Sequence, residues 1–173
     1  MATIDVAVIE TGNGGDLRLV GRDLALVSGW DNMPYLGMFG GNVGQSTPAN
    51  RAAGEEAFDW WGNSLLFGDT PDLQFNSLTE ARLDEITLTS SGRIAVEQAI
   101  LRDLAFMLPF ADITVTTEIT GIDRLRIMIN VKRPEVLQEQ VYIYLWDGVT
   151  GTLNYVPSNQ GDYNNDYNND YYT

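Results

Sequence analysis

The 173-residue chain has no cysteine and no histidine, and Lys132 is its one lysine. Without thiols or imidazoles it can build no disulfide scaffold, none of the common zinc sites, and no Ser-His or Cys-His nucleophile. Long apolar runs are missing too: nothing approaches the roughly 18 residues that cross a bilayer. The first stretch, MATIDVAVIETGNGG, carries no basic region ahead of its short apolar run, so it does not read as a secretory signal. Basic residues number 10 against 24 acidic ones, for a net charge of −14. Nucleic-acid binding rests on clustered Lys and Arg that displace counterions, so this balance argues against a direct DNA or RNA role. The expectation is a chain made and used from the cytoplasm, or from something assembled there, with no membrane insertion.

What is present fits one domain with an appendage. Hydrophobic residues make up 44% of the chain, enough for a real core. Ile4, Val6 and Val8 alternate with small or polar residues, the period of a strand. The paired segments Asp16-Leu17-Arg18-Leu19 and Asp23-Leu24-Ala25-Leu26 flank Gly21-Arg22 and predict a small β-hairpin. From Ser28 to Phe75 the pattern dissolves into Gly and Pro. The same stretch is rich in large apolar residues, among them Trp30, Phe39, Phe58, Trp60 and Trp61, so a packed loop is expected over 31–75. Ser77-x-x-Glu80 matches a capping box and predicts a helix of about three turns through the following LTEARLDEITL. Ser90 or Ser91 caps a second helix, on which Ala95, Val96, Ala99, Ile100, Asp103, Leu104 and Met107 form a mostly apolar face, and Pro109 ends it. Strands are predicted over 113–119, 125–131 and 141–146, the first two joined by a tight turn at Thr120-Gly121-Ile122-Asp123.

The fold class that follows is α+β: a two-helix segment packed on an antiparallel sheet, with an N-terminal β-hairpin and a long Gly-rich loop. The organisation reads as strands and hairpin over 1–30, packed loop over 31–75, helix pair plus sheet over 76–155, and a low-complexity Tyr/Asn/Asp tail over 156–173. That tail, ending in GDYNNDYNNDYYT, lacks aliphatic residues and is expected to order only against neighbours.

Chemical motifs are weak. Glu55, Glu56, Asp59 and Asp69 surround Trp60-Trp61, and an aromatic platform beside two acids is how many glycosidases hold sugars. In a chain this acidic such proximity arises readily, and no defined spacing supports it. The D-Y-N-N-D repeat offers oxygen ligands but lacks the glycine and bidentate glutamate of a calcium loop. Gly12-x-Gly14 and Gly37-x-x-Gly40-Gly41 lack the following Lys-Ser/Thr of a phosphate loop. No catalytic, cofactor or metal residues are therefore assigned. Trp60-Trp61 reads as an anchor against a core or partner, since indoles dominate interfaces when they fill pockets.

The order of these signals carries a resemblance. The paired D-L-x-L segments come first, then Trp60-Trp61-Gly62-Asn63, then a helix pair. A hairpin bearing Asp123-Arg124-Leu125-Arg126-Ile127 and Val131-Lys132-Arg133-Pro134 follows. Over roughly Asp16 to Trp146 this resembles the gene-product forty-six family of Mu-like phages, small baseplate wedge proteins of contractile tails, similar to the small wedge subunit of T4-type phages. The Glu-Pro-Arg motif of the T4-type branch is absent; Pro134 stands in the reversed context Arg133-Pro134-Glu135. The resemblance implies a non-catalytic virion protein without cofactors, assembled in the host cytoplasm and present in several copies in a symmetric baseplate. Its implied partners are other wedge and hub proteins and the tail sheath. The expected interface residues are Trp60, Trp61, the strand residues Val141, Tyr142, Ile143, Tyr144 and Trp146, and the tail residues Tyr163, Tyr167 and Tyr171. With apolar or aromatic side chains on both faces, the 141–146 strand is the first candidate for an exposed edge that accepts a partner's strand, and the N-terminal strand the second. A head–tail connector and a carbohydrate-binding or glycan-cleaving module are the alternatives.

Overall fold

A computed structural model describes residues 4–10, 15–41, 65, 67–68, 70 and 73–156. The architecture is α+β, as the sequence implies. Six short strands come first: β1 (Ile4–Val6), β2 (Val8–Glu10), β3 (Gly15–Leu17), β4 (Leu19–Val20), β5 (Asp23–Leu24) and β6 (Leu26–Ser28). Helices α1 (Gly29–Phe39), α2 (Thr79–Glu85) and α3 (Ser90–Asp103) follow. The chain then runs through β7 (Asp112–Gly121), β8 (Arg124–Lys132), β9 (Gln140–Asp147) and β10 (Thr152–Val156).

The N-terminal strands make three antiparallel two-stranded ribbons, β1–β6, β2–β3 and β4–β5. They meet at Ala7, Arg18 and Ala25, where the chain passes from one ribbon to the next. The Ala7 N–H donates to the Ala25 carbonyl (2.8 Å), the Ala25 N–H to the Arg18 carbonyl (2.8 Å), and the Arg18 N–H to the Ala7 carbonyl (2.9 Å), closing a ring. The expected hairpin around Gly21-Arg22 is there as β4–β5, with Leu19 opposite Leu24 and Gly21 at φ +66°. Its first strand is shorter than predicted, because Gly15 to Leu17 pair instead with β2.

Helix α1 replaces the start of the expected loop. Its sequence argues against a helix, since Pro34 and Gly37 lie within it, and tertiary structure answers both objections. Pro34 has no N–H to give the Trp30 carbonyl, one turn earlier, and the Tyr142 hydroxyl of β9 donates there instead (3.2 Å). Gly37 lies where a Cβ would come 3.0 Å from Leu104 Cδ2 and 3.1 Å from Phe106, so glycine allows the close approach. At the N-terminus the Asp31 carboxylate accepts the Ser28 N–H (3.2 Å).

Helix α2 is shorter than the predicted three turns and its cap is different. Ser77 does not close the expected box; its hydroxyl donates to the Gly37 carbonyl (2.8 Å) near the end of α1. The carboxylate at the α2 N-terminus belongs to Asp103, at the far end of α3. Its Oδ2 accepts from the Leu78 N–H, the Thr79 N–H and the Thr79 hydroxyl, at 2.8, 2.8 and 2.7 Å. Helix α3 is capped by Thr89, whose side chain accepts the Gly92 N–H, and not by Ser90 or Ser91.

The main sheet has the order β10-β9-β8-β7, antiparallel throughout. The β7–β8 turn places Asp123 at φ +52°, a conformation that Asp tolerates better than most residues. Helix α3 packs on one sheet face. Val96, Ile100, Leu104 and Met107 bury against Leu125, Ile127, Ile129 and Val131, as the apolar periodicities predict. Ala95 is only half-buried, while Arg126, Met128 and Asn130 lie on the opposite face. The turn containing Pro109 comes after the helix has already ended at Asp103.

Candidate interaction surface

Strand β9 is built for the interior of this chain. It pairs with β8 on one side and β10 on the other, so it is not a free edge, contrary to the sequence expectation. The reason is β10, which no strand expectation covers: Thr152 to Val156 fold back across the Gly148–Gly151 turn and cover that edge. Tyr142, Tyr144 and Trp146 point into the core and are almost fully buried. Tyr144 lies at the centre of an aromatic cluster, with ring centroids 6.5 Å from Tyr35, 6.4 Å from Phe39 and 5.3 Å from Tyr155. The apolar-on-both-faces pattern is thus met largely from within. Ile143 is buried and Val141 and Leu145 are half-buried on the other face, Ile143 standing between Met128 and Val156. The N-terminal strand, second candidate for an open edge, is likewise engaged within the chain through β6 and β3.

A polar belt ties α1 to β9. The Tyr142 hydroxyl donates to the Trp30 carbonyl and lies 3.3 Å from Asp31 Oδ1, which also accepts from Gln140 Nε2 (3.3 Å). Burial, reinforced by the neighbouring Asp31 carboxylate, pushes the Tyr142 hydroxyl well above the usual tyrosine range. It is a structural donor at any physiological pH. The Arg133 guanidinium stacks on the Trp30 ring at 5.1 Å. Buried Asn32 clamps the N-terminal kink: Oδ1 accepts the Val8 N–H (3.1 Å), and Nδ2 donates to the Val6 carbonyl (2.7 Å) and Asp5 Oδ2 (3.0 Å). Neither Asn32 nor the Pro34–Tyr142 pairing was singled out in the sequence. A lone Asn or Tyr gives no periodic signal.

The Asp103 carboxyl is perturbed by its setting. Burial raises its pKa, opposed by the hydrogen bonds from Thr79 and Leu78 and by Arg102. Its Oδ1 is buried without a hydrogen-bond partner. All the acceptor capacity in use is spent on the start of α2, so the group reads as a cap and not as a general acid. Among the described residues no group of three or more acidic side chains could hold a metal, and no helix is long and apolar enough to cross a membrane.

The exposed apolar surface lies elsewhere. On the ribbons Ile4, Leu19, Val20 and Leu26 are each more than 60% exposed, and Leu17 and Leu24 are close to half exposed. A second group, Ile94, Leu101, Phe106, Leu108 and Phe110, lines the outer side of α3 and the turn after it. By contrast, the edge strand β7 has a side chain on its backbone: Arg93 Nη1 donates to the Thr117 carbonyl (3.0 Å) and hydroxyl (3.1 Å) while paired with Glu97 (3.2 Å). A strand docking on β7 would meet this guanidinium, a common way to blunt an edge. Trp60, Trp61, Tyr163, Tyr167 and Tyr171, with the acids Glu55, Glu56, Asp59 and Asp69, lie outside the described residues. No known family model, curated protein or solved structure matches the chain.

Proposed function

We propose that the chain is a structural baseplate wedge subunit of a contractile phage tail, or of a phage-derived injection device, joining wedge and hub proteins to the first sheath ring. The reading rests on the ordered series of D-L-x-L pair, Trp60-Trp61-Gly62-Asn63, helix pair and Asp123-Arg124 hairpin. The observation that supports it best is the N-terminal module, whose six large apolar side chains face solvent where a self-sufficient monomer would bury them. A subunit held by neighbours has a use for such a surface. The protein works without catalysis or cofactor in this reading, and Trp60-Trp61 and the tyrosine-rich tail are further anchors.

Electron microscopy of the parent particle tests the proposal. Density for this chain between the inner baseplate and the first sheath ring, in several symmetric copies, is the expected result. Location at the portal end of the tail would replace it with the head–tail connector reading. Absence from the particle, together with saturable quenching of tryptophan fluorescence by an oligosaccharide, would favour the carbohydrate-binding alternative.

A further inference from the structure

Strand β7 is the long edge of the main sheet. It runs for 10 residues, pairs with β8 on one side, and among the described residues has no strand on the other. The opposite edge, β10, has 5 residues and lies beside β2. Within β7, Ile113-Thr114-Val115-Thr116-Thr117 is β-branched throughout, without charge, glycine or proline. That is the composition of a strand that accepts another strand. Asp112 and Glu118 flank it, but both charges are answered from β8. Lys132 is the register partner of Asp112, and Arg126 Nη1 lies 3.3 Å from Glu118. The Arg93 guanidinium reaches β7 from α3. Its Nη1 donates to the Thr117 carbonyl (3.0 Å), the Thr117 hydroxyl (3.1 Å) and Glu97 Oε2 (3.2 Å), and the Thr117 hydroxyl donates to the same Glu97 oxygen (2.9 Å). This closed set of bonds fixes a positive charge on a backbone acceptor of the edge.

We propose that Arg93 guards this edge, and that its guanidinium keeps β7 from pairing with the β7 of a second copy. A strand docking across Thr117 would give an N–H to that carbonyl, and the guanidinium already occupies it. An arginine–glutamate pair this exposed adds little to stability, so its consequence lies at the edge. Removing the guanidinium frees the carbonyl, while Glu97 keeps the Thr117 hydroxyl and α3 keeps its seat through Val96 and Ile100. A second copy is the occupant the guard must refuse, because it brings an identical uncharged, β-branched strand wherever the protein is concentrated. The net charge of −14 opposes its approach, yet charges beyond about 8 Å are largely screened at physiological salt. Repulsion at a distance is therefore a weaker barrier than a charge on the edge itself. This device does not depend on the wedge reading, and either can fail alone.

Arg93→Met removes the guanidinium and keeps an apolar stem. Sedimentation velocity of the full chain over a concentration series, joined to amide hydrogen exchange, reads the effect. The association constant should rise at least about tenfold over wild type, and the amides of Ile113 to Thr117 should gain protection as concentration rises. Arg93→Lys keeps a charged donor and should behave as the wild type does. Thr116 is exposed, so adding Thr116→Lys to Arg93→Met puts a new charge on the strand and should return association to the wild-type level. A folded Arg93→Met chain that associates no more than wild type overturns the proposal. So does association that Thr116→Lys leaves unchanged, or protection gained outside β7 alone, as general loss of stability would give. An Arg93→Met chain that does not fold overturns it as well, since the guanidinium would then hold the fold and not its edge.

Discussion

The two ends of the chain solve the burial problem in opposite ways. From α3 to β10, side chains bury against one another: Val96, Ile100, Leu125, Ile127 and Ile129 are fully enclosed between helix and sheet. From β1 to β6, order comes largely from backbone hydrogen bonds and from Asn32; Ala7 is buried and Val8 packs against the core, while Ile4, Leu17, Leu19, Val20, Leu24 and Leu26 are left facing solvent. Isolated two-stranded ribbons are marginal in water, so the N-terminal module borrows its stability from α1 and from the ring at its centre. A chain can thus order short strands without a core of their own, and it keeps hydrophobic surface available.

The sharpest test of this contrast is a pair of leucine truncations. Leu104→Ala, in the enclosed region, should cost about 2–5 kcal/mol, read from urea unfolding. Leu26→Ala, on the ribbons, should stay within about 0.5 kcal/mol. Equal losses at the two positions would erase the distinction. Next in size is Asn32→Ala, which strips partners from the Val8 N–H and the Val6 carbonyl together. An unmet buried polar group costs about 1–3 kcal/mol, and here the loss should appear as faster amide exchange confined to the ribbons. Uniform acceleration across β7 to β9 would show that the module is not separately held.

Asp103→Ala removes the acceptor at the α2 N-terminus and should cost about 1 kcal/mol, within the usual range for lost caps. Asp103→Asn keeps an acceptor oxygen and should cost less. The pH dependence has a defined sign. The folded-state pKa of Asp103 is raised above its ordinary value of 3.8, so the native state holds this proton more tightly than the unfolded chain. Its contribution is fully present below that ordinary value and is lost as pH rises through the raised one. Asp103→Asn should therefore flatten the unfolding curve in that window, and an unchanged slope would put the proton elsewhere.

Much of the helix–sheet region is legible in the sequence because burial there is periodic. Leu125, Ile127, Ile129 and Val131 alternate cleanly, and Val96, Ile100, Leu104 and Met107 keep helical spacing. Helix α1 is not legible. Pro34 and Gly37 are loop-forming by propensity, and what overrules them are Tyr142 and Leu104, far away in sequence. The α2 cap fails for the same reason: Asp103, 24 residues beyond Thr79, does what Ser77 was expected to do. Strand β10 escaped because TLNYV is short and its alternation is incomplete. That omission turned β9 into an apparent edge and its tyrosines into apparent interface residues. Trp60-Trp61 is legible as a signal, but its setting depends on residues outside those described.

The ring at Ala7, Arg18 and Ala25 also bears on how the N-terminal module comes together. Bringing Ala7 to Arg18 requires closing the β2–β3 ribbon, and bringing Arg18 to Ala25 requires closing β4–β5. Once both have closed, Ala25 is already beside Ala7, and the third bond forms without a loop of its own. Three hydrogen bonds are gained for two closure entropies, each of which grows only slowly with loop length. The β1–β6 ribbon, whose strands lie farthest apart in sequence, is thereby spared a long loop closure of its own once the other two have formed. It leads directly into α1, so its last residue, Ser28, is also the N-cap of that helix.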